Sequence, residues 1–373
     1  MVNVKNATLN GFSGKKLRLG NLVRKASFGA ALSLASLTNA HAADYEMIIS
    51  HVFSEDPLTN EVQPSLMHFE SLVETATNGA IDVKIFGGSQ LGSEVESGKA
   101  AQKGLVMQGA VMSSGAMSSF YKDFQVMTAP FLFPNYLTAW AYFDGPYHAD
   151  FMKGAIEESG LRYMGTFDEG GGFVAFTNNK HPIRTVEDIE GLRIRVEENP
   201  AHIAIMKALG ASATPLPWGE VQTALATGLA DGQFNAPGIS KAYKLYDVND
   251  YTTLSGHVYN TATFMISEKW FQSLPEEYRV IIANAARESM KIGHGIAVMH
   301  SVDGWDVSCK EFKECIVLSE EEKAKMAAVA MPAWREWITK DFGVDPVVVD
   351  GLMSEVQRLK AEEVATSTSL YAN

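Results

Sequence analysis

The stretch GLRIRVEENPAHIAIMKALGASATPLP (191–217) contains a strand, a helix and a second strand in succession. LRIRV alternates apolar and basic residues, which is the period-two pattern of a β-strand with one buried face. The helix that follows has defined ends, because Asn199 suits the N-cap, Pro200 suits the first turn and Gly210 suits the stop. SATPLP is then typical of the next strand. This β-α-β order predicts an α/β fold.

The same alternation of strands and helices occurs on the N-terminal side of this stretch. YEMIISHVF (45–53) and IDVKIFG (81–87) have strand patterns, and a helix is predicted between them near 60–78. LVMQGAVMSSG (105–115) is predicted to be a third strand. Strands that alternate with helices are the mark of a mainly parallel sheet.

The C-terminal half carries longer elements. LRYMGTF (161–167) and GFVAFTNN (172–179) are predicted to be two strands, with EGGGF (169–173) as a flexible turn between them. HVYNTATFMIS (257–267) is predicted to be a long strand, and a long helical tract runs over 273–312. His294 and His300 lie in that tract and are interpreted as surface or packing residues.

Residues 1–42 have the composition of a secretory signal peptide. A basic segment precedes the apolar run ASFGAALSLASL (26–37), and Ala40-His41-Ala42 is an A-x-A cleavage site. Cleavage after Ala42 removes 42 of the 373 residues and leaves 331, which is more than one ordinary hydrophobic core needs. We therefore expect a periplasmic protein with two lobes.

Charge restricts the partners. The full chain carries a net charge of −13, and the removed segment holds six Lys/Arg and no acid, so the mature protein is near −19. Such a protein is not expected to bind nucleic acid or an anionic membrane surface. An arginine that attracts an anion to it must act through its local position.

The two cysteines, Cys309 and Cys315, both lie in the mature chain. An oxidising compartment permits a disulfide between them. Their spacing is awkward within one continuous helix and becomes suitable if the helix ends near Glu314, so both states remain open. With no histidine nearby, the pair is a poor zinc site, and we predict no metal and no cofactor.

Local catalytic motifs are missing from the sequence. GSEVESGKA (92–100) has five residues between its glycines and Ala100 where a phosphate loop needs Ser or Thr. H-E-x-x-H and G-x-S-x-G do not occur. The protein is therefore predicted not to be an enzyme, although a site assembled from distant residues keeps a periplasmic enzyme as an alternative.

Arg193 and Arg195 lie two positions apart on the strand LRIRV, so they share one face. One interpretation is the solvated face of an edge strand. The other is that a guanidinium points into a cleft, where its planar fork holds a carboxylate with two parallel hydrogen bonds. The carboxyl end of a strand in an open α/β sheet is the usual place for such a cleft.

The region 191–237 strongly resembles the DctP-type solute receptors of TRAP transporters. The family pattern runs G-L-K-I-R-V, then a helix ending A-L-G-A, then P-x-x-W/F-x-E-V-Y-T-A-L-Q-x-G-x-V-D-G and E-N-P. Four further segments match in the same order, and together they cover essentially the whole mature chain: FGGSQLGSEVE (86–96), APFLFPNYLTAW (129–140), TNNKHPIRTVEDIEGLRIRV (177–196) and SLPEEYRVIIANAA (273–286).

The resemblance implies a two-lobed periplasmic binding protein, with a ligand cleft between the lobes, crossing β-strands and a long helix that spans both. Lobe I would comprise 43–171 and about 261–300, lobe II 172–260 and about 301–350, and 351–373 would form a C-terminal helix or tail. The resemblance further implies a monomer that delivers a small organic acid to the small and large subunits of a sodium-driven TRAP permease. A receptor for a periplasmic signalling kinase is the alternative within the binding class.

The resemblance also assigns site residues. Arg195 falls on the arginine expected to pair with the ligand carboxylate, whereas Arg193 takes a lysine position and is expected to matter less. Asn235 keeps the amide of E-N-P, Phe234 replaces its glutamate, and Trp218 takes the aromatic position beside the ligand. The remaining candidate lining residues are His51 and Glu94.

Departures from the family pattern bear on the ligand. Many members carry a second arginine where this chain has Val174 or Ala175, and Gln222 replaces the tyrosine of E-V-Y-T-A-L. Losing a cation favours a monoacid or sulfonate whose remainder is apolar, neutral or cationic. Three acids in predicted loops are available for an ammonium group: Glu55, Asp168 and Glu169.

Overall fold

The computed structural model describes residues 43–371. The predicted signal peptide, 1–42, and the last two residues lie outside this range. The nine strands are β1 (Tyr45–Ser50), β2 (Ile81–Phe86), β3 (Gly109–Ser113), β4 (Leu161–Asn178), β5 (Arg193–Val196), β6 (Ser212–Pro215), β7 (Gly232–Asn235), β8 (Tyr251–Ser267) and β9 (Glu314–Val317).

These strands form one mixed sheet in the order β2-β1-β3-β8-β4-β7-β5-β6, with β9 added to β8. Pairing is parallel within β1–β3 and within β5–β7, as predicted. The long strands β4 and β8 run antiparallel to each other and to β7 and β3. We call the side of the sheet that carries β1–β3 lobe I, and the side that carries β5–β7 lobe II.

The prediction of two strands separated by a flexible turn at 161–179 is wrong. β4 is one strand of 18 residues that passes through EGGGF and pairs with β8 on both sides of it. Gly170, Gly171 and Gly172 all have positive φ, and the pairing register shifts between Asp168 and Phe173. The glycines therefore form an irregularity inside the strand, because they adopt a backbone that other residues rarely accept.

The α-helices are α1 (Val62–Ala76), α2 (Glu94–Lys103), α3 (Ser114–Met117), α4 (Tyr136–Phe143), α5 (Pro146–Phe151), α6 (Lys153–Ser159), α7 (Pro200–Ala208), α8 (Val221–Ala226), α9 (Pro237–Ala242), α10 (Glu268–Ser273), α11 (Glu276–Glu311), α12 (Glu320–Glu336) and α13 (Pro346–Tyr371). Short 3-10 turns cover Lys122–Thr128, Glu187–Ile189, Trp218–Glu220 and Leu245–Asp247, and a π turn covers Trp337–Asp341.

The predicted caps of α7 are confirmed. The Asn199 side chain accepts a hydrogen bond from the backbone N–H of Ala201 at 2.9 Å, and Pro200 occupies the first turn. These contacts satisfy the helix start and fix the turn that follows β5.

Helix α11 is 36 residues long and packs along β4, against α1 on the lobe I side and against α9 on the lobe II side. A Cβ at Gly304 would meet the carbonyl oxygen of Pro237 at 2.4 Å, so glycine permits the close approach to α9. The helix ends at Glu311, three residues earlier than the disulfide prediction needed. Cys309 and Cys315 are disulfide-bonded, with their Cα atoms 4.9 Å apart.

The C-terminal helix begins at Pro346, five residues before the predicted boundary at 351. It packs against α4, where the Glu363 carboxylate accepts hydrogen bonds from Asn135 Nδ2 and from Thr138 Oγ1 at 2.7 Å. None of the helices within 43–371 is both long enough and apolar enough to cross a membrane.

A buried polar network lies where β4, β8, α4 and α11 meet. Asp168 is fully buried and accepts hydrogen bonds from Trp140 Nε1 at 2.8 Å and from Tyr259 OH at 2.6 Å. His294 Nδ1 lies 2.6 Å from Oδ2 of this carboxylate, the oxygen that also accepts from Trp140, and an Asp144 oxygen lies 3.6 Å from His294 Nε2. Burial lowers the pKa of His294, but the hydrogen bonds of the two carboxylates outweigh it and raise the pKa to about 9. His294 is thus a partner in a buried ion pair, which is more specific than the packing role predicted for it.

Candidate functional site

A cavity of about 310 Å³ lies where the carboxyl ends of strands from both lobes meet. Val52 follows β1 and Ser113 ends β3, while Glu197 follows β5 and Trp218 follows β6. A smaller inner pocket shares Val52, Glu94, Ser113, Arg195, Glu197 and Trp218 with this cavity and is also lined by Phe53, Glu169 and Ile239. Carboxyl ends of parallel strands are where open α/β sheets bind ligands.

Arg195 lines both the cavity and the inner pocket. Arg195 is only 3% exposed. Its Nε and Nη2 atoms donate hydrogen bonds to the carbonyl oxygen of Leu216 at 3.0 and 2.6 Å. These hydrogen bonds orient the guanidinium and leave the hydrogens of Nη1 for a ligand. The Trp218 ring centroid lies 5.7 Å from Cζ. Burial lowers the pKa of Arg195 from its ordinary value, against the opposing effect of nearby glutamates, and the group remains a cation at neutral pH.

Arg193 does not reach the cavity, although it lies on the same strand. Its guanidinium and its backbone N–H both bind the Asp231 carboxylate, with Nε 3.0 Å from Oδ2. The arginine side chain is 46% exposed. The two arginines differ in their surroundings because Arg193 is the first residue of β5, whereas Arg195 lies toward the carboxyl end of the strand, beside the cavity.

Glu94 is the first residue of α2 and points into the cavity. A capping box between Ser93 and Glu96 fixes this helix start. The Glu94 carboxylate accepts hydrogen bonds from the backbone N–H of Ser113 at 2.6 Å and from its hydroxyl at 2.9 Å. Burial nevertheless raises the pKa of Glu94 to about 7.

Glu197 lies two residues after Arg195. Its carboxylate accepts a hydrogen bond from the backbone N–H of Gly115 at 3.2 Å, directly after β3, and therefore joins lobe II to the lobe I side. His202 Nδ1 lies 3.8 Å from the same oxygen. Burial raises the pKa of Glu197. The positive charge of Arg195 opposes this rise, because the guanidinium favours the charged carboxylate.

Glu169 comes from β4 and lines the inner pocket. It is 7% exposed, and its Oε2 atom has no hydrogen-bond partner among the described residues. Burial, followed by the charges of Glu197 and Glu94, raises the pKa of Glu169 well above its usual range. A buried oxygen without a partner is costly, so this atom is available to a bound molecule.

The other sequence-predicted residues lie near the cavity but do not all line it. Trp218 lines it and packs edge-on against Tyr243 at 4.8 Å. Asn235 is buried and donates to Gln233 Oε1 at 2.7 Å. Phe234 packs between His202 and His257 beneath the cavity floor, and His51 binds Gln63 at 2.7 Å.

The positions without the family's second arginine are neutral and buried. Val174 and Ala175 lie within β4, and Ala175 pairs with Asn235 in the sheet. Of the three acids predicted to be available for an ammonium group, only Glu169 lines the inner pocket. Glu55 binds the loop at Gly87 and Gln90, and Asp168 belongs to the buried network.

Glu197, Ser113 and the Leu216 carbonyl were missed by sequence reasoning. Glu197 had a signal, because it continues the period-two face of Arg193 and Arg195. Ser113 and Leu216 had none, since their roles depend on long-range contacts and on a main-chain atom. Within 43–371, no group of three or more His, Cys, Asp or Glu side chains is arranged to hold a metal ion.

Comparison with known proteins gives a consistent result. Residues 49–341 match the family model described as bacterial extracellular solute-binding protein, family 7. The C4-dicarboxylate-binding periplasmic protein DctP of Rhodobacter capsulatus is 29% identical over 82% of this chain and 90% of its own length. The ectoine/5-hydroxyectoine-binding periplasmic protein UehA of Ruegeria pomeroyi is 30% identical over 91% of this chain and 96% of its own.

A solved structure is similar over the same range. The sugar acid binding protein DctPAm from Advenella mimigardefordensis, in complex with galactonate, superposes with a TM-score of 0.77 at 27% identity. The match covers 84% of this chain and 98% of that protein.

Proposed function

Because this chain belongs to the bacterial extracellular solute-binding proteins of family 7, we propose that it captures a small organic acid between its lobes and delivers it to a membrane permease. The family is periplasmic and works with TRAP permease components. For this chain we propose export by residues 1–42, with cleavage after Ala42, and action as a monomer with a sodium-driven small and large permease subunit.

The observation that carries the proposal is Arg195 in its cavity. The guanidinium is buried, oriented by the Leu216 carbonyl and able to donate further hydrogen bonds into a space of about 310 Å³. That volume suits a small molecule. A carboxylate or sulfonate on Arg195 would form charge-assisted hydrogen bonds and partly offset the charge buried there.

Ligand capture would proceed by closure of the lobes. The Glu197–Gly115 hydrogen bond would form on closure, because its two sides come from the two halves of the sheet. The irregular segment of β4 at Gly170–Gly172 is the proposed bending point, with lobe I as 43–171 plus about 261–300 and lobe II as 172–260 plus about 301–350. A ligand that contacts both sides favours the closed state by its differential affinity.

Asn235 and Trp218 support the site in different ways. Trp218 lines the cavity beside Arg195 and is proposed to lie against the ligand. Asn235 is proposed to turn toward the carboxylate when the ligand binds, as the family resemblance implies. Phe234 and His51 are proposed to pack behind these residues, and Arg193 is proposed to stabilise lobe II through Asp231.

The test is a thermal-shift screen of refolded, ligand-free mature protein. The panel holds C4-dicarboxylates, sugar acids, α-keto acids, aromatic acids, sulfonates and zwitterions such as ectoine. A ligand at 100 times its dissociation constant stabilises the protein by about 2.7 kcal/mol, which moves a melting curve visibly. We expect at least one acid to stabilise the wild type and Arg193→Ala, and not Arg195→Ala.

Three outcomes would contradict parts of the proposal. An acid that stabilises Arg195→Ala as strongly as the wild type would remove Arg195 from the site. Sustained conversion of the acid into a product would favour the periplasmic enzyme. Binding without any dependence of uptake on the adjacent permease genes would favour the signalling receptor.

A further inference from the structure

Carboxyl groups outnumber cationic side chains in the inner pocket. Glu94, Glu169 and Glu197 line the inner pocket together with one cation, Arg195. The arginine makes its side-chain hydrogen bonds to a main-chain carbonyl, and among the described residues no carboxylate lies within ion-pair distance of it. A ligand that brings only a carboxylate would neutralise Arg195 and leave the three glutamates uncompensated.

The three carboxylates differ in how well the protein satisfies them. Glu94 receives two hydrogen bonds from Ser113, and Glu197 receives one from Gly115. Glu169 Oε2 is buried and receives none. Glu61 lies behind Glu169, and one of its oxygens is occupied by the backbone N–H of Gly170 at 3.0 Å. Glu169 therefore lines the pocket that Arg195 also lines and has a carboxylate oxygen with no protein donor.

A bare metal ion does not fit this arrangement. Within 43–371, no three acidic, histidine or cysteine side chains are close enough to form a metal site. Hydrophobic side chains and Trp218 complete the walls of the inner pocket. This combination suits an organic cation, because its charge is diffuse and its carbon atoms contact apolar walls.

We propose that the ligand is a zwitterion, whose carboxylate binds Arg195 and whose cationic nitrogen lies among Glu169, Glu94 and Glu197. The inference rests on the proposed function and narrows it from small organic acids to those that also carry a protonated or quaternary nitrogen. Glu169 provides the specificity, because its Oε2 atom is buried and receives no hydrogen bond from the described residues.

Binding should also move protons. Burial raises the pKa of Glu94 to about 7 and that of Glu169 above its usual range, so the ligand-free cavity holds protons at neutral pH. A cationic nitrogen favours the ionised carboxylates and therefore releases protons on binding. A plain acid on Arg195 adds negative charge near the same groups, so it releases none and takes up protons instead.

The experiment compares matched ligand pairs by isothermal titration calorimetry. One pair is glycine betaine and 3,3-dimethylbutyrate, which have the same shape and differ by a charged nitrogen in place of carbon. Each of the other pairs combines an amino acid with the hydroxy acid of the same chain length. These chains have two, three or four carbons beyond the carboxylate carbon. Each titration is run at pH 7 in phosphate and in Tris, so that the difference in heat gives the number of protons released.

We expect the zwitterion of at least one pair to bind about tenfold or more tightly than its partner, and to release protons. Glu169→Gln should abolish this preference and reduce the proton release. The matched control is Glu190→Gln, which replaces an exposed glutamate of lobe II away from the cavity and should leave both readouts unchanged.

The outcomes separate this inference from the proposed function. If hydroxy acids or uncharged isosteres bind as tightly as the zwitterions, and Arg195→Ala abolishes that binding, the zwitterion proposal is overturned while the receptor proposal stands. The zwitterion proposal is also overturned if binding takes up protons instead of releasing them, because the glutamates then act as neutral partners for hydroxyl groups. If no acid in these pairs or in the wider screen binds, both proposals are overturned.

Discussion

Asp168 and Glu169 are adjacent on β4, and both are buried, yet the protein treats their carboxylates in opposite ways. Asp168 has two neutral hydrogen-bond donors and His294 around it. Glu169 has an oxygen without any partner. Successive residues of a strand point to opposite faces, so Asp168 faces α4 and α11, whereas Glu169 faces the cavity.

The contrast separates structural from binding carboxylates. A buried charge that holds the fold is fully surrounded by donors in the protein itself, since an unpaired one is destabilising. A buried carboxylate that lines a pocket and keeps an unsatisfied oxygen can accept a hydrogen bond from a bound molecule. The two regions, which we call the Asp168 network and the Glu169 cavity, should therefore respond differently to substitution and to pH.

The largest effect is expected for Asp168→Ala. The substitution leaves Trp140 Nε1, Tyr259 OH and the His294 cation buried without their acceptor. Breaking one partner of a buried ion pair costs roughly 3–5 kcal/mol in the free energy of unfolding. Urea denaturation monitored by tryptophan fluorescence measures it. Glu169→Ala is the comparison and should cost far less, because it removes no hydrogen bond; equal losses would contradict the distinction.

If Asp168→Ala does not fold, His294→Gln tests the same network with a milder substitution. The glutamine is neutral, so it loses the ion pair with Asp168 while the two neutral donors remain in place. We expect an intermediate loss of stability with ligand affinity close to that of the wild type. A selective loss of affinity would instead place the network within the binding machinery.

The second effect, on binding, concerns Arg195→Ala. Truncating one partner of a buried charge pair costs roughly 2–5 kcal/mol, which is about 30-fold to several-thousand-fold in affinity. The fold should survive, since Arg195 makes its hydrogen bonds to the single carbonyl of Leu216. Calorimetric titration with the best acid of the screen measures the change. Unaltered affinity would contradict the assignment of this side of the cavity.

The two regions should titrate in different pH windows. The pKa of Glu94 rises from 4.5 to about 7 on folding, so the folded state holds this proton more tightly than the unfolded state. Stability therefore falls as pH rises from about 4.5 to 7, by an amount on the order of 3 kcal/mol, since one pKa unit is about 1.4 kcal/mol. Glu61, raised to about 7 as well, acts in the same direction.

The network titrates at higher pH. The pKa of His294 rises from 6.5 to about 9, so its stabilising contribution is complete below about 6.5 and is lost as pH rises through 9. Unfolding free energies from pH 4.5 to 9.5 measure both windows. Glu94→Gln should reduce the pH dependence in the lower window, where Glu61 still contributes, and His294→Gln should flatten the upper window. A single variant that flattens both would mean that the two regions are coupled.

The sequence predicted local structure better than it predicted the site. The alternation in LRIRV and the cap at Asn199 determine β5 and α7 through contacts between near neighbours, and the structure has both. The strand pattern alone did not distinguish Arg195 from Arg193, and the family resemblance assigned Arg195 to the ligand. The single strand at 161–178 was missed, because three glycines normally indicate a turn, whereas here pairing with β8 resumes on the far side of them.

The different roles of Asp168 and Glu169 could not be read from the chain either. Which of two adjacent acids faces the cavity depends on the register of β4 against β8, and that register shifts within the glycine segment. Glu197 is different, since it continues a face already assigned to Arg195. Its link to Gly115 across the cleft still required the folded arrangement of the two lobes.

The smallest effect is expected for Arg193→Ala, which sharpens the comparison within one strand. The half-exposed Arg193 side chain pairs with Asp231. Its hydrogen bond lowers the pKa of Asp231 to about 2, although burial acts in the opposite direction. Exposed pairs contribute roughly 0.2–1 kcal/mol, so stability should fall by less than about 1 kcal/mol. Affinity should not change, because the side chain is outside the cavity. A loss of affinity comparable with that of Arg195→Ala would mean that Arg193 enters the cleft in the ligand-bound state, and the zwitterion would then have to share its carboxylate between two cations.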